Sequence, residues 1–385
     1  MTARPDVLVI GAGIIGAACA DELTACGLTV TIVERDAVGS GATAAGMGHL
    51  VAMDDNPAEL ALTSYSIALW NQLVDANGDV DNERERHEYS RCGTIWVAAD
   101  DEEMTAARAK QVTLAAHGIA CDLLDAAMLY LLEPQLRPGL AGGLRVTGDA
   151  VVYPPKSAKI LLERARRRGA QLIDGEVCTI TGTGVTLSDG SRIDAAIVLV
   201  ANGAACVQLL PELHTGGLIR PKKGHIVITD RYPDFIRHQL VELGYIKSAH
   251  AASGDSVAFN LQPRPTGQLL IGSSRQFDNT DKAVDLDIMT RMLAHAARFV
   301  PALSGLNAIR CWTGLRAASP DGLPLIGPHP TRPRVWLATG HEGLGITTSL
   351  ATAKLLTAQI LNQVAPISIT PYLPARFAEL ASTHV

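Results

Sequence analysis

Aromatic residues are scarce in this chain of 385 residues: Trp, Tyr and Phe together make up 4%. So little ring surface leaves no platform for stacking nucleic-acid bases. Basic charge is short as well. Lys and Arg number 33 against 39 Asp and Glu, a net charge of −6 at pH 7, which offers no field to hold a phosphate backbone. Long apolar runs are missing. The apolar stretch at residues 7–20 is broken by three glycines, and a bilayer needs about 20 apolar residues. The N-terminus also lacks the charged start and small-residue cleavage site of a secretory leader. The seven cysteines (Cys19, Cys26, Cys92, Cys121, Cys178, Cys206 and Cys311) are odd in number, and none forms a CxxC pair. This argues against a disulfide scaffold, a zinc ribbon and a dithiol redox centre, and points to a cytoplasmic setting. The 11 histidines show no HxH or HExxH spacing, so no metal is expected.

What remains is apolar and rich in glycine, with 47% hydrophobic residues and 35 glycines. Such a chain is not disordered. Its length exceeds one small core, so two domains are expected. The glycines suit an α/β fold with tight strand–helix turns.

Residues 6–10 (DVLVI) read as a buried strand. Gly11-Ala12-Gly13-Ile14-Ile15-Gly16 follows, then a helix of small residues ended by Gly27, then a second buried strand at 28–33 closed by Glu34. Each part has a task in holding a dinucleotide. Gly11 permits the turn, Gly13 admits a pyrophosphate to the backbone, and Gly16 lets the helix approach the sheet. The helix N-terminus offers free N–H groups to the anion. Glu34 accepts from ribose hydroxyls, with Arg35 beside it. GxGxxG alone is weak; here the flanking strands, helix and acid complete the pattern.

The fingerprint does not distinguish NAD from FAD. Residues 39–48 contain Ser40, Ala42, Thr43, Gly46 and Met47. This run of small residues suits a second phosphate and a flat ring, and a flexible surface loop is the equal alternative. A DG hairpin signal at residues 185–190 leads to a buried strand at 195–200 and the turn Ala201-Asn202-Gly203. That turn can place backbone beside a cofactor, as can Val177 upstream; plain sheet packing is the other reading. A strand at 335–338 enters a second glycine-rich turn, Gly340-His341-Glu342-Gly343-Leu344-Gly345, and a helix begins near Ile346. A helix N-terminus at the carbonyl side of an isoalloxazine stabilises the reduced flavin. No second GxGxxG occurs, so a separate NAD(P)H domain is not expected. The pattern is that of a flavoprotein with one dinucleotide, which takes electrons from a substrate.

With GAGIIG, ATAAGM and the closing GLRAASPDGLPLIGPHP…ATGHEGLGITTS block, the chain resembles the D-amino-acid oxidase-like flavoproteins, which include glycine and sarcosine oxidases. The likeness spans essentially the whole chain. RVTGDAVVYPP, ELGYIKSAH and FNLQPRPTGQLLIGSSRQF resemble the branch of bacterial D-hydroxyproline dehydrogenases. The resemblance implies an α/β fold: a Rossmann-like FAD domain from residues 1–86, 151–214 and 312–385, with an antiparallel-sheet substrate domain from 87–150 and 215–311. Runs at 224–229, 256–261 and 268–273 read as its strands.

The implied reaction moves hydride from substrate Cα to flavin N5, most readily from D-hydroxyproline to a pyrroline carboxylate. An oxygen-using oxidase of glycine, sarcosine or other small D-amino acids is the alternative. An NAD enzyme and a noncatalytic flavin-bearing subunit are further ones. Electron-transfer subunits or the respiratory chain are possible acceptors, with possible attachment at the inner membrane surface. Arg316, in Gly314-Leu315-Arg316, matches the family's carboxylate-binding arginine, and a planar fork suits that task. Glycine oxidases carry another arginine in the GHxRxG turn; here that turn reads Gly340-His341-Glu342-Gly343 and the arginine is absent, with Gly343 at its place. Lys222, Lys247 and Arg275 are substitute cations. His341 and Glu342 fall at the flavin-facing turn; Glu342 accepts from the substrate or caps the helix. Tyr245 is a candidate lid over a ring substrate, or a core residue. Asn260 and Gln262 share one strand face, toward flavin or solvent. His49 is near the flavin or structural. Sarcosine oxidases attach flavin through a cysteine; Gly314 holds that place and Cys311 is out of register, so FAD is expected to be noncovalent. The basic run at the end of the helix at 157–168 is a solvated terminus or an anion-binding patch.

Overall fold

The computed structural model describes residues 4–75, 83–244, 254–277 and 279–377; Tyr245 and Lys247 lie outside them. The apolar run without alternation becomes β1 (Val7–Ile10), buried along its whole length, as a strand covered on both faces must be. It sits inside a six-stranded sheet with the order β18 (Leu325–Pro328), β19 (Val335–Thr339), β12 (Ile197–Val200), β1, β2 (Val30–Glu34), β8 (Gln171–Asp174). All pairings are parallel except β18–β19.

An eight-stranded sheet carries the order β17 (Ala308–Ala318), β13 (Arg220–Thr229), β16 (Leu269–Phe277), β15 (Ser256–Pro263), β14 (Gln239–Glu242), β4 (Thr94–Ala98), β6 (Gly142–Val146), β5 (Cys121–Asp125). It is antiparallel except for the parallel pair β14–β4. β13, β15 and β16 are longer than the apolar runs that announce them. Lys222, Lys223, Arg275 and Gln276 extend these strands although they are polar, and all four are buried. The DG hairpin joins a separate three-stranded sheet of β11 (Arg192–Asp194), β10 (Gly184–Leu187) and β9 (Val177–Ile180). Its neighbour is β12, which starts two residues after the expected position. A short ladder pairs β3 (His49–Leu50) with β7 (Ala150–Val151).

Six helices of twelve residues or more occur among the described residues: α1 (Ile14–Ala25), α2 (Pro57–Val74), α3 (Asp101–Ala116), α4 (Pro154–Arg167), α5 (Leu286–Phe299) and α6 (Gly345–Ile360). The small side chains of α1, including Ala17, Ala18 and Ala20, are buried in one core with residues of α4 and α6. Lys354 of α6 meets Glu22 of α1 at 2.8 Å. Asn56 caps α2 by accepting from Glu59 N, with Pro57 at the first helical position, the arrangement that satisfies orphan amides. Buried Trp70 of α2 donates from Nε1 to the Ile346 carbonyl at 3.2 Å. At the basic end of α4, Arg164 and Arg168 both reach Asp21 of α1, at 3.1 and 2.5 Å, while Arg166 and Arg167 are exposed. No helix among the described residues is long and apolar enough to cross a membrane. Nor do they contain a group of three His, Cys, Asp or Glu able to hold a metal.

Candidate active site

A cavity of about 550 Å³ runs from the end of β2 to the face of the eight-stranded sheet. Its first part is the fingerprint. Gly11 has φ +100, and a Cβ there would stand 2.9 Å from Asn202 Cα. Gly13 precedes α1 without a side-chain cap, and the Ile14 amide donates to Thr43 Oγ1 at 3.0 Å. The Ile15 and Gly16 amides have no acceptor one helical turn back. The first turn of α1 holds no acid, so its positive end is left for a ligand anion. Glu34 is fixed by two backbone amides, Ala12 N at 2.6 Å and Asp36 N at 2.9 Å. Each oxygen keeps a lone pair for a hydroxyl. Arg35 pairs with Glu176 at 2.9 Å and with Asp36. Val177, Ala201 and Gly203 complete this end of the wall.

Ser40, Ala42, Thr43, Gly46 and Met47 line the middle, facing Gly340, Gly343, Gly345 and Ile346. Close backbone approach demands the glycines. A Cβ on Gly46 would lie 2.6 Å from Ile346 Cδ1, and one on Gly314 would lie 2.4 Å from Ala45 Cβ. α6, like α1, begins without a side-chain cap or an acid in its first turn. Gly16 and Leu344 do not line the cavity. A Cβ on Gly16 would meet the Gly11 carbonyl oxygen at 1.9 Å, so this glycine seats α1 on the turn. Leu344 packs on the apolar cluster of Met53 and Leu60. Two uncapped helix N-termini, a ribose acceptor and a glycine-rich channel between them fit an elongated dinucleotide. The Oδ1 of Asn202, buried at this wall, has no protein partner.

Charge gathers at the far end. Arg316 lies opposite Lys222 in the β13–β17 ladder, and like charges so placed repel. Glu342 supplies the counter-charge: Lys222 Nζ lies 2.5 Å and Arg275 Nε 3.9 Å from its Oε1. Burial opposes the Glu342 charge, but Lys222, Arg275 and Arg316 outweigh it and hold the carboxyl below its usual range. Burial pulls the Lys222 ammonium down, with Glu342 acting against the shift. Arg316 donates from Nη1 to the Ser274 carbonyl at 3.0 Å and lines the cavity. Glu342 has φ +45, a left-handed conformation imposed by the turn. His341 lines the cavity too, but its Nε2 faces Thr352 Oγ1 at 3.0 Å inside α6, and burial pushes it down to about 3. It is a neutral ring, not a cation. Cys311 is an odd-numbered neighbour of Gly314 and Arg316 on β17, on the other face of the strand, and it is exposed.

Two wall residues escape the sequence reading. Gly224 in mid-strand has a signal, since an interior strand glycine marks close approach. Ser273, buried with an unpartnered Oγ, carries none. Asn260 and His49 both line the cavity. Gln262, on the Asn260 face, is fully buried and faces neither solvent nor the cavity.

Known proteins match this arrangement. The family described as FAD dependent oxidoreductase (DAO) matches residues 6–359. The glycine oxidase of Pseudomonas aeruginosa is 30% identical, over 96% of this chain and 98% of its own length. Hydrogen cyanide synthase subunit HcnC of the same organism is 28% identical, over 97% and 96%. The crystal structure of glycine oxidase from Geobacillus kaustophilus superposes with a TM-score of 0.83 at 26% identity, covering 97% of this chain and 99% of that one. L-proline dehydrogenase from P. horikoshii shares the fold, with a TM-score of 0.84 at 21% identity over 98% of both chains.

Proposed function

The chain belongs to the DAO family of FAD-dependent oxidoreductases and acts on amino acids, and we propose that its substrate is a small α-amino acid of the glycine or sarcosine class. The observation that carries this reading is Arg316, which stands in the same cavity as the dinucleotide fingerprint. Its guanidinium takes the substrate carboxylate. FAD, when bound there, would supply the acceptor for the hydride lost from the substrate Cα. The glycine-walled channel and the starts of α1 and α6 hold the dinucleotide, and Glu34 its ribose. The buried far end keeps water from the reacting carbon, and the Glu342–Lys222 pair keeps the Arg316 side of the cavity partly neutralised. FAD is noncovalent in this reading, because Cys311 points to the other face of β17. The residue blocks 1–86, 151–214 and 312–385 form the FAD domain, and 87–150 with 215–311 the substrate domain.

Curated relatives named as glycine oxidases support this class over the D-hydroxyproline expectation. One observation keeps the cyclic imino acid as a second reading: the arginine that the resemblance to glycine oxidases implies in the GHxRxG turn is absent, with Gly343 at its place. Anaerobic mixing of the yellow protein with glycine, sarcosine, D-proline and both hydroxy-D-proline epimers separates the two. Bleaching by glycine or sarcosine supports the first, and bleaching by hydroxyproline alone overturns it. Peroxide formation in air then tests oxygen as the acceptor.

A further inference from the structure

The hydrogen bonds behind His49 and Asn260 run in one direction. The Ala150 carbonyl oxygen can only accept, and it receives Gln239 Nε2–H at 3.2 Å; the same amide nitrogen reaches the Thr94 hydroxyl at 3.3 Å. Gln239 must therefore turn Oε1 toward His49 Nδ1, its other partner, and Nδ1 carries the proton. Burial pushes His49 down to about 4, so the ring is neutral and Nε2 is a bare lone pair. Only an N–H can face it. Asn260 Nδ2 does, at 3.3 Å. The Asn260 amide is thereby oriented, with Nδ2 to the histidine and Oδ1 away from it.

That oxygen is buried and has no protein partner, and Asn260 lines the cavity. A buried acceptor left unmade costs about 1–3 kcal/mol, so the site calls for a donor from the ligand. Arg316 lies across Gly224 of β13. β15, which carries Asn260, is two strands from β13 in the sheet order, roughly 10 Å at ~4.8 Å per strand. Asn260 pairs with Gly272, next to the Ile271 that pairs with Val227, so its row meets β13 about two residues from Gly224 and the diagonal is roughly 12 Å at ~3.4 Å per residue. The two side chains take up part of it, and two hydrogen bonds of ~2.9 Å with the short carboxylate-to-amine separation of an α-amino acid fill the rest.

We propose that Asn260 Oδ1 receives an N–H of the substrate amine while Arg316 holds the carboxylate, and that His49 and Gln239 are positioning residues that fix this oxygen toward the amine. The inference rests on the amino-acid reading above. It makes the oriented amide a specificity element: a carboxylate without an amine leaves the oxygen unpaired and gains nothing from it. The side-chain amides of Gln239 and Asn260 keep their hydrogens in place, so the chain orients and does not carry protons.

The test uses the FAD-loaded protein under anaerobic conditions: the dissociation constants of glycine and sarcosine come from the concentration dependence of the rate of flavin bleaching, and that of acetate, which cannot reduce the flavin, from titration of the oxidised flavin spectrum. In Asn260→Leu and His49→Leu, the dissociation constants of glycine and sarcosine rise roughly ten-fold, the loss of one such hydrogen bond, while acetate binding stays within about two-fold. Thr94→Val, remote from the cavity and close in volume, gives the same pattern at smaller size if the other two variants fail to hold flavin. Equal losses for acetate and the amino acids, or unchanged amino-acid binding, overturn the inference. A wild-type flavin that amino acids reduce, with variants lacking this selectivity, overturns the inference alone. A wild-type flavin that no amino acid reduces overturns the functional reading and this inference with it.

Discussion

The guanidinium of Arg316 lies against the backbone of Gly224: a Cβ built on the glycine would stand 2.5 Å from Nη2 and 2.6 Å from Nη1. The strand carries glycine there because the arginine occupies the space a side chain would take. In Gly224→Ala the guanidinium must move. Carboxylate affinity is expected to fall ~10-fold or more, since a hydrogen bond to a charged group contributes about 1.5–3 kcal/mol. FAD content should stay unchanged. Titration of the flavin spectrum with acetate reads the loss, and unaltered affinity refutes the assignment.

Glu342 is the counter-charge for two cations opposed in one ladder. Glu342→Gln should lower stability by about 2 kcal/mol, less than a fully buried broken pair because the side chain is partly exposed. The same variant should bind acetate more tightly, because Lys222 and Arg316 then act on the ligand alone. The Glu342 carboxyl lies below its usual range, so its contribution is complete above the unfolded carboxyl's pKa and is lost as pH falls through the lower folded value. Thermal melts of variant and wild type should converge at acid pH.

Burial pushes Asp149 up to about 7, against the opposing hydrogen bonds of Thr94 and the Ala52 amide. A raised acid binds its proton more tightly in the folded state. Its effect is therefore to lower stability as pH rises from the ordinary carboxylate range to about 7. Asp149→Asn removes that slope and keeps an acceptor for the Ala52 amide. The variant should gain on wild type by a few kcal/mol between pH 4 and 8, since each tenfold difference in proton affinity between the folded and unfolded chain is worth about 1.4 kcal/mol. Urea unfolding at both pH values measures it, and a pH-independent difference refutes it.

Gly16→Ala should strip FAD and destabilise the fold, because the added methyl carbon would stand 1.9 Å from the Gly11 carbonyl oxygen and drive α1 off its seat. Gly305→Ala, where a Cβ meets nothing within 4 Å, is the matched control and should retain both. The flavin-to-protein absorbance ratio after purification compares them.

The cofactor half of the site was legible in sequence because its constraints are local. Gly11, Gly13, Gly16 and Glu34 act within one strand–turn–helix unit, and spacing alone reveals them. In the substrate half only Arg316 was tied to one role; Lys222, Arg275, Asn260 and Glu342 were named with alternatives left open. Lys222, Arg275 and Asn260 come from three strands that only the sheet brings together. The polarity of Lys222 and Arg275 shortened their strands in the sequence reading, since a buried cation looks like the end of an apolar run. The parallel pair β14–β4 also had no local mark, because register between distant segments is a tertiary property. Gly224 is an intermediate case: a glycine inside a strand signals a close approach, but only the fold shows that Arg316 is what approaches.

The salt bridge between α1 and α6 joins Glu22 to Lys354, 332 positions along the chain. During synthesis the fingerprint leaves the ribosome long before α6, which carries part of the wall that faces it. Until then the apolar flank of α1, including Ala17, Cys19 and Leu23, has no cover from α6. Closure between such distant segments is a slow step, and the waiting surface is prone to aggregation and suited to chaperone capture. The cavity lined by Ile14 and Ile15 of α1 and by Ile346 of α6 is complete only once both segments have been made.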